Sequence, residues 1–238
     1  MPSTPTSTTA GPARVPATAD AALGFLLQLG DSALPTGAFS HSFGMESYLA
    51  DERIAGPDAL HEWLLAYLDT QLTCTEGLAV RWVADEEKDA HDVDALLEAA
   101  TAPAQVRLAS RRMGAQLAKL APELLGAAGV VPEPPGGRWP AHYPAVYGLL
   151  GAAAGVATPA LVHTFLMGSI VSLVQNAVRA VPLGQSAGQR VITALRAPAA
   201  RAAERVMLLD EVDFATTAPG LEIAQMRHEH LRARMFMS

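Results

Sequence analysis

The apolar positions of this chain recur three or four residues apart, which is the spacing of amphipathic α-helices. Beyond Gly56-Pro57-Asp58, where one helix would stop and another begin, Leu60, Leu64 and Leu72 follow this spacing. Runs of alternating β-branched residues, which would indicate strands, do not occur. The pattern predicts an all-α fold, a single-domain helical bundle of about eight to ten helices with flexible termini.

Two longer stretches predict the main helices. Residues 105–125 have one apolar face, and the opposite edge carries the densest positive patch of the chain. The cations of that edge are Arg107, Arg111, Arg112 and Lys119. Residues 160–178 have no formal charge and are long enough to cross a membrane. Polar side chains such as His163, Gln175 and Asn176 would be costly in lipid, so we interpret this stretch as a buried central helix.

The remaining pattern predicts shorter helices and one long loop. Helices are expected around residues 78–83, 186–195 and 199–209, where apolar residues again recur at helical spacing. Residues 126–144 are rich in proline and glycine, which predicts a loop between two helical halves of one domain.

The two ends of the chain differ from the middle. Residues 1–18 are rich in Pro, Ser and Thr and lack an apolar core, which predicts a disordered arm rather than a signal peptide. Residues 19–220 form the predicted helical domain. Residues 221–238 are expected to form a helix and then an arm with Met235, Phe236 and Met237 exposed, which predicts a partner-binding tail.

Composition limits the classes of function that are open to this chain. With 50% hydrophobic and 17% charged residues, the chain can bury a substantial core. A net charge of -7 argues against binding to nucleic acid, because phosphate recognition needs a basic face. The single cysteine, Cys74, excludes an internal disulfide and a multi-cysteine metal site, and it fits a cytoplasmic protein. His228 and His230 are two residues apart, so on a helix they would not converge on a metal, and we expect neither a cofactor nor a metal site.

An enzyme remains an alternative. The run Gly184-Gln185-Ser186-Ala187-Gly188 matches the G-x-S-x-G pattern, and Asp210 or Asp213 and then His228 follow in the order of an α/β-hydrolase. A helical serine hydrolase using Ser186 is therefore the alternative function. Against it, the pattern needs a strand before the serine, and the preceding residues continue a helix.

The stretch with the most unusual chemistry lies near the N-terminus. An apolar run stops at Gly30-Asp31-Ser32, and Pro35 and Gly37 then predict a tight corner. A second helix is expected just beyond it, since Phe39, Phe43 and residues 45–49 roughly follow helical spacing. The corner mixes apolar anchors such as Phe39 with small and hydrogen-bonding residues such as Ser40, which is more than a plain connection needs, although a helix hairpin explains it equally well. Glu46 follows in the next predicted helix.

Three segments together resemble the UreF family of urease accessory proteins. The first reads Leu34-Pro35-Thr36-Gly37-Ala38-Phe39-Ser40-His41-Ser42-Phe43-Gly44-Met45-Glu46. The second runs from Asn176 through Arg179 to Gln185, and the third holds His228, Glu229, Arg232, Arg234, Phe236 and Ser238. The chain departs from the family pattern at residues 102–107, where an acidic and basic run is common, and at Phe43, where Gln is common.

This resemblance implies an all-helical, non-enzymatic scaffold for urease maturation. Such proteins form a homodimer, bind UreD (also called UreH), recruit and modulate the GTPase UreG, and act on urease apoprotein during nickel insertion. From the net charge and the polar residues of the uncharged stretch, we also expect binding to neither nucleic acid nor membrane. Whether UreG turnover is accelerated or restrained, and whether nickel touches the chain, stays open.

The resemblance also supplies candidate partner-binding residues. These are Pro35, Gly37, Phe39, Ser40, Glu46, Arg179, Gln185, His228, Glu229, Arg232, Arg234 and Phe236. We expect Glu46 and Arg179 to help form the surface that faces UreG, although an internal ion pair between them would explain the opposite charges as well. We expect residues 221–238 to become ordered on UreD.

Overall fold

The computed structural model describes residues 18–126, 134–215 and 218–238, and within them it is helical, with no strand. The predicted arm therefore lies outside the described residues except for Thr18, as does part of the predicted 126–144 loop. The α-helices are α1 (Ala19–Leu29), α2 (Met45–Ala50), α3 (Pro57–Tyr67), α4 (Leu78–Ala84), α5 (Ala90–Ala100), α6 (Ala104–Gly126), α7 (Tyr143–Ala153), α8 (Thr158–Ala180), α9 (Gln185–Val206) and α10 (Pro219–Arg227). The all-α prediction is confirmed.

Helix α8 is the central element of the core. It packs along α9 and also contacts α1, α4 and α7, and Phe165, Leu166 and Ile170 are almost completely buried. Within the described ranges it is the one helix long and apolar enough to span a membrane, and half of its most apolar window is buried inside the protein. Its apolar composition is thus explained by burial among neighbouring helices.

Helices α3 and α4 belong to one continuous rod. The residues between them, Leu68–Gly77, form a π-helix. The Thr73 hydroxyl donates to the Leu68 carbonyl oxygen at 2.5 Å, five residues back, which matches the wider π-turn. The sequence pattern predicts two separate helices here, because apolar spacing alone does not distinguish a π-turn from a break.

The predicted and observed helices also differ at two other places, each near proline or glycine residues. Helix α9 runs through Pro198, whereas the sequence predicted a break. The amide that proline lacks would have bonded to the carbonyl of Ala194, which is an exposed residue, so this missing bond lies on the solvent side of the helix. Helix α7 follows the proline- and glycine-rich segment and was not predicted, because it is apolar on most sides and shows no amphipathic stripe.

Candidate functional site at the junction of three segments

Two glycines shape the corner that begins the site. Gly37 and Gly44 have φ angles of 89° and 91°, which other residues rarely adopt. A Cβ atom on Gly44 would also lie 2.7 Å from the Gln225 side chain. Between the glycines the chain forms a short 3-10 turn at Ala38–Ser40, and the following α-helix starts only at Met45. The second helix therefore begins later than its apolar spacing predicted.

The C-terminal end of α8 holds this corner in place. Asn176 is completely buried, and its side-chain amide donates to the His41 carbonyl oxygen at 2.7 Å. One turn later, Arg179 donates to the Phe39 carbonyl oxygen at 3.2 Å. Both side chains bind backbone groups of the corner, so the first two motifs recognised in the sequence meet in the fold.

The end of the chain closes over the same corner. The Ser238 carbonyl oxygen accepts hydrogen bonds from the Ser42 amide at 2.5 Å and from the Ser42 hydroxyl at 2.7 Å. The Ser238 hydroxyl lies 2.9 Å from Nδ1 of His41. The Met237 amide donates to the Ser40 carbonyl oxygen at 2.7 Å. The third motif is thus bonded to the first through backbone groups, and we call this assembly of residues 36–46, 176–179 and 225–238 the junction.

Glu46 lies at the centre of the junction. Its carboxylate accepts hydrogen bonds from the backbone amides of Met235 at 2.5 Å and Phe236 at 3.1 Å. It also lies 2.7 Å from Nε2 of His228, whose Nδ1 is 2.9 Å from the side-chain oxygen of Gln105 on α6. The His228 side chain is fully buried and that of Glu46 is 12% exposed. Glu46 is therefore an internal acceptor, whereas the sequence hypothesis placed it on a partner-facing surface.

The alternative hypothesis for these charges was an internal ion pair between Glu46 and Arg179, and no such pair occurs among the residues that the structure describes. Arg179 is exposed, and its guanidinium carbon lies 5.8 Å from the centre of the Phe236 ring. The Glu46 carboxylate is bonded to the tail, and the Arg179 side chain lies at the surface.

The tail is packed against the domain rather than extended from it, which corrects the prediction that Phe236 is exposed. Phe236 and Ser238 are 4% and 2% exposed, whereas Met235 and Met237 are 56% and 51% exposed. Over the last four residues, buried and exposed side chains therefore alternate. Arg232 and Arg234 are also exposed, as is Glu229.

The remaining candidate residues lie at the surface. Pro35 and Phe39 are exposed on the corner, and Phe39 is 38% exposed. Gln185 is exposed at the first position of α9. In the part of the chain that the structure describes, no hydrogen bond joins Gln185 to the junction.

The hydrolase alternative is not supported by the geometry. Ser186 is exposed in the first turn of α9, a helix preceded by no strand in the described part of the chain. Both ring nitrogens of His228 are engaged with Glu46 and Gln105 rather than with a serine. The Asp213 carboxylate accepts from the Asp210 amide in a local turn. The three groups of a catalytic triad are therefore not assembled.

A small cavity beside the junction contains the residues that sequence reasoning missed. It measures about 60 Å³, and α1, α7, α8 and the π-helix contribute to its lining. Glu76 lines it, and burial raises the pKa of this carboxyl to about 7, against the opposing effect of a hydrogen bond from Gln71. Gln71 in turn accepts from Gln225, which donates to the Phe43 carbonyl oxygen. The sequence signal that could have indicated this buried carboxyl is the position of Glu76 between the apolar residues Leu72 and Leu78.

The cavity and the junction do not resemble a metal centre. Among the residues that the structure describes, no three or more His, Cys, Asp or Glu side chains are grouped to hold a metal ion. The hydroxyl of Tyr147, which lines the cavity, is buried and has no hydrogen-bond partner within the described ranges. The expectation that the chain has no metal or cofactor site of its own stays a prediction.

Comparisons with known proteins identify the family of this chain. The family model of UreF matches residues 54–196. The urease accessory protein UreF of Arthrobacter sp. (strain FB24) is 42% identical over 222 residues, which cover 90% of this chain and 96% of the relative. The UreF proteins of Corynebacterium glutamicum (strain R) and Geobacillus kaustophilus (strain HTA426) are 40% and 39% identical, over 90% and 92% of this chain and 96% and 99% of their own.

Proposed function

Because the chain belongs to the UreF family of urease accessory proteins, we propose that it is a non-enzymatic scaffold for the maturation of urease. In this proposal it acts in the cytoplasm as a homodimer, binds UreD, recruits and modulates UreG, and assists nickel insertion into urease apoprotein. Nickel is then cargo of the assembly rather than a cofactor of this chain.

The observation that carries this proposal is the construction of the junction. Segments that are up to 197 residues apart meet through buried hydrogen bonds, which fix the backbone of the corner and of the tail. Besides Glu229, the side chains left at the surface include cations and large apolar groups, among them Arg179, Arg232, Arg234, Phe39, Met235 and Met237. Arginine and exposed methionine or aromatic residues are enriched in protein interfaces. A rigid backbone that presents such side chains suits a scaffold, because little ordering entropy is lost on binding.

The first test mixes the purified chain with UreD, UreG, GTP and nickel, and measures the mass of the product by light scattering. We expect a complex with two copies of each accessory protein. Arg179→Ala should weaken UreG recruitment by about tenfold or more, as expected for an arginine central to an interface. Arg196→Ala, an exposed cation on α9, is the matched control. A lone monomer in the mixture, or full recruitment by a folded Arg179→Ala protein, would contradict the proposal.

A further inference from the structure

A second surface feature lies on α6, beyond the end of that helix which contacts the junction. A cleft of about 740 Å³ runs between α6 and the chain segment 137–141. Four cations line it, Arg111, Arg112 and Lys119 from α6 and Arg138 from the opposite wall. Trp139 lies beside them and also packs against the hydrophobic core.

These cations are poorly neutralised by the protein itself. Arg111 lies 3.8 Å from the exposed carboxylate of Glu98, a weak surface pair. Within the described ranges, Arg112, Lys119 and Arg138 have no ion-pair partner. Positive charges that converge on one cleft repel one another, and an anionic occupant removes this repulsion.

Not every cation on this edge of α6 belongs to the cleft. Arg107 lies 3.5 Å from Glu98 and donates to the carbonyl oxygens of Thr101 and Ala102. It therefore holds the backbone just before α6 in place. Arg112 and Lys119 are about two helical turns apart and both reach the cleft. The positive patch seen in the sequence thus divides into a structural arginine and a group of weakly neutralised cations.

We propose that this cleft binds an acidic segment of a partner protein. The small side chains of Ala115 and Ala118 leave room for a peptide backbone between the cations, and Trp139 offers an apolar contact to a side chain of the segment. Carboxylates spaced along the segment would pair with the cations. A nucleic acid is disfavoured because the chain as a whole carries a net charge of -7. The inference adds a second contact surface to the proposed scaffold, and it rests on that function only for the identity of the partner.

The test measures binding of a short synthetic peptide rich in Asp and Glu and containing one Leu, followed by tryptophan fluorescence. We expect binding that weakens as salt rises from about 50 mM to about 500 mM, because the contacts are exposed charge pairs. The double variant Arg112→Glu with Lys119→Glu should lose about tenfold or more in affinity. Arg196→Glu with Arg201→Glu, two exposed cations on α9, should bind as the unchanged protein does.

Several outcomes would overturn the inference. They are equal binding of a peptide with Gln and Asn in place of Glu and Asp, undiminished binding by the Arg112 and Lys119 variant, no binding at low salt, and tighter binding of an RNA oligomer. A change in self-association instead of peptide binding would assign the cleft to a second copy of the chain. Arg138→Glu lies outside any helix and repeats the test if the double variant does not fold. Since no partner protein is used, failure here leaves the light-scattering test of the scaffold unaffected.

Discussion

Glu46 accepts hydrogen bonds from two backbone amides of the C-terminal segment and lies 2.7 Å from Nε2 of His228. In the sequence alone this residue resembles a surface charge, since it lies in the first turn of a short helix after a polar corner. The structure makes it the acceptor that determines where the last residues of the chain lie. Whether Arg179 pairs with Glu46 or faces solvent depends on which groups already bond to the Glu46 carboxylate. The sequence does not give that information.

Replacing Glu46 by Gln tests this role. Gln keeps the size but removes the charge and one acceptor oxygen, so at least one of these contacts is lost. We expect a loss of about 1 to 3 kcal/mol in the free energy of unfolding, measured by urea denaturation. The amides of Met235 and Phe236 should also exchange hydrogen faster. The exposed Glu229→Gln is the control and should change stability by less than about 0.5 kcal/mol. Unchanged stability and exchange in Glu46→Gln would refute the role.

At the scale of elements, the periodic helices were predictable and the junction was not. The bounds of α3, α6 and α8 follow from apolar spacing within a few residues, because one face of each is buried. Continuity through Gly77 and Pro198 was not predictable from local residue propensity, since it depends on how each helix packs in the fold. The three motifs were recognisable in the sequence, but the contact of His41 with Ser238 spans 197 residues, and no local pattern encodes it.

The tail illustrates the difference between recognising a segment and placing it. Phe236 faces the core, so we expect it to stabilise the fold. Met235 and Met237 on either side face solvent, so we expect them to contact a partner. We expect Met235→Ser with Met237→Ser to weaken binding to purified UreD while leaving the melting temperature nearly unchanged. The matched variant, Phe236→Ala, should release the tail at a cost of about 3 kcal/mol, within the usual range for a buried aromatic residue. Undiminished UreD binding by the double methionine variant would refute the assignment.

At the scale of the whole molecule, two buried titratable groups change the stability with pH in opposite directions. Burial, with smaller contributions from the charges of Arg112 and His228, lowers the pKa of His41 to about 4. The stability that neutral His41 contributes is therefore present above its unfolded value of 6.5 and is lost as pH falls toward 4. Burial raises the pKa of Glu76 from 4.5 to about 7, so its contribution is present below 4.5 and is lost as pH rises through 7. Between these unfolded values the two slopes have opposite signs and offset each other.

Replacing each group separately should reveal how its titration changes stability with pH, which the other group offsets in the unchanged protein. Relative to the unchanged protein, Glu76→Gln should gain stability as pH rises from about 4.5 to about 7, by at most about 1.4 kcal/mol per pH unit. His41→Gln should show the reverse trend from about pH 4 to about pH 6.5, because it lacks the group whose protonation destabilises the fold. Urea denaturation across this range measures both, and the double variant should follow the nearly flat profile of the unchanged protein. Parallel profiles for all four proteins would mean that neither group titrates differently in the folded and unfolded chains.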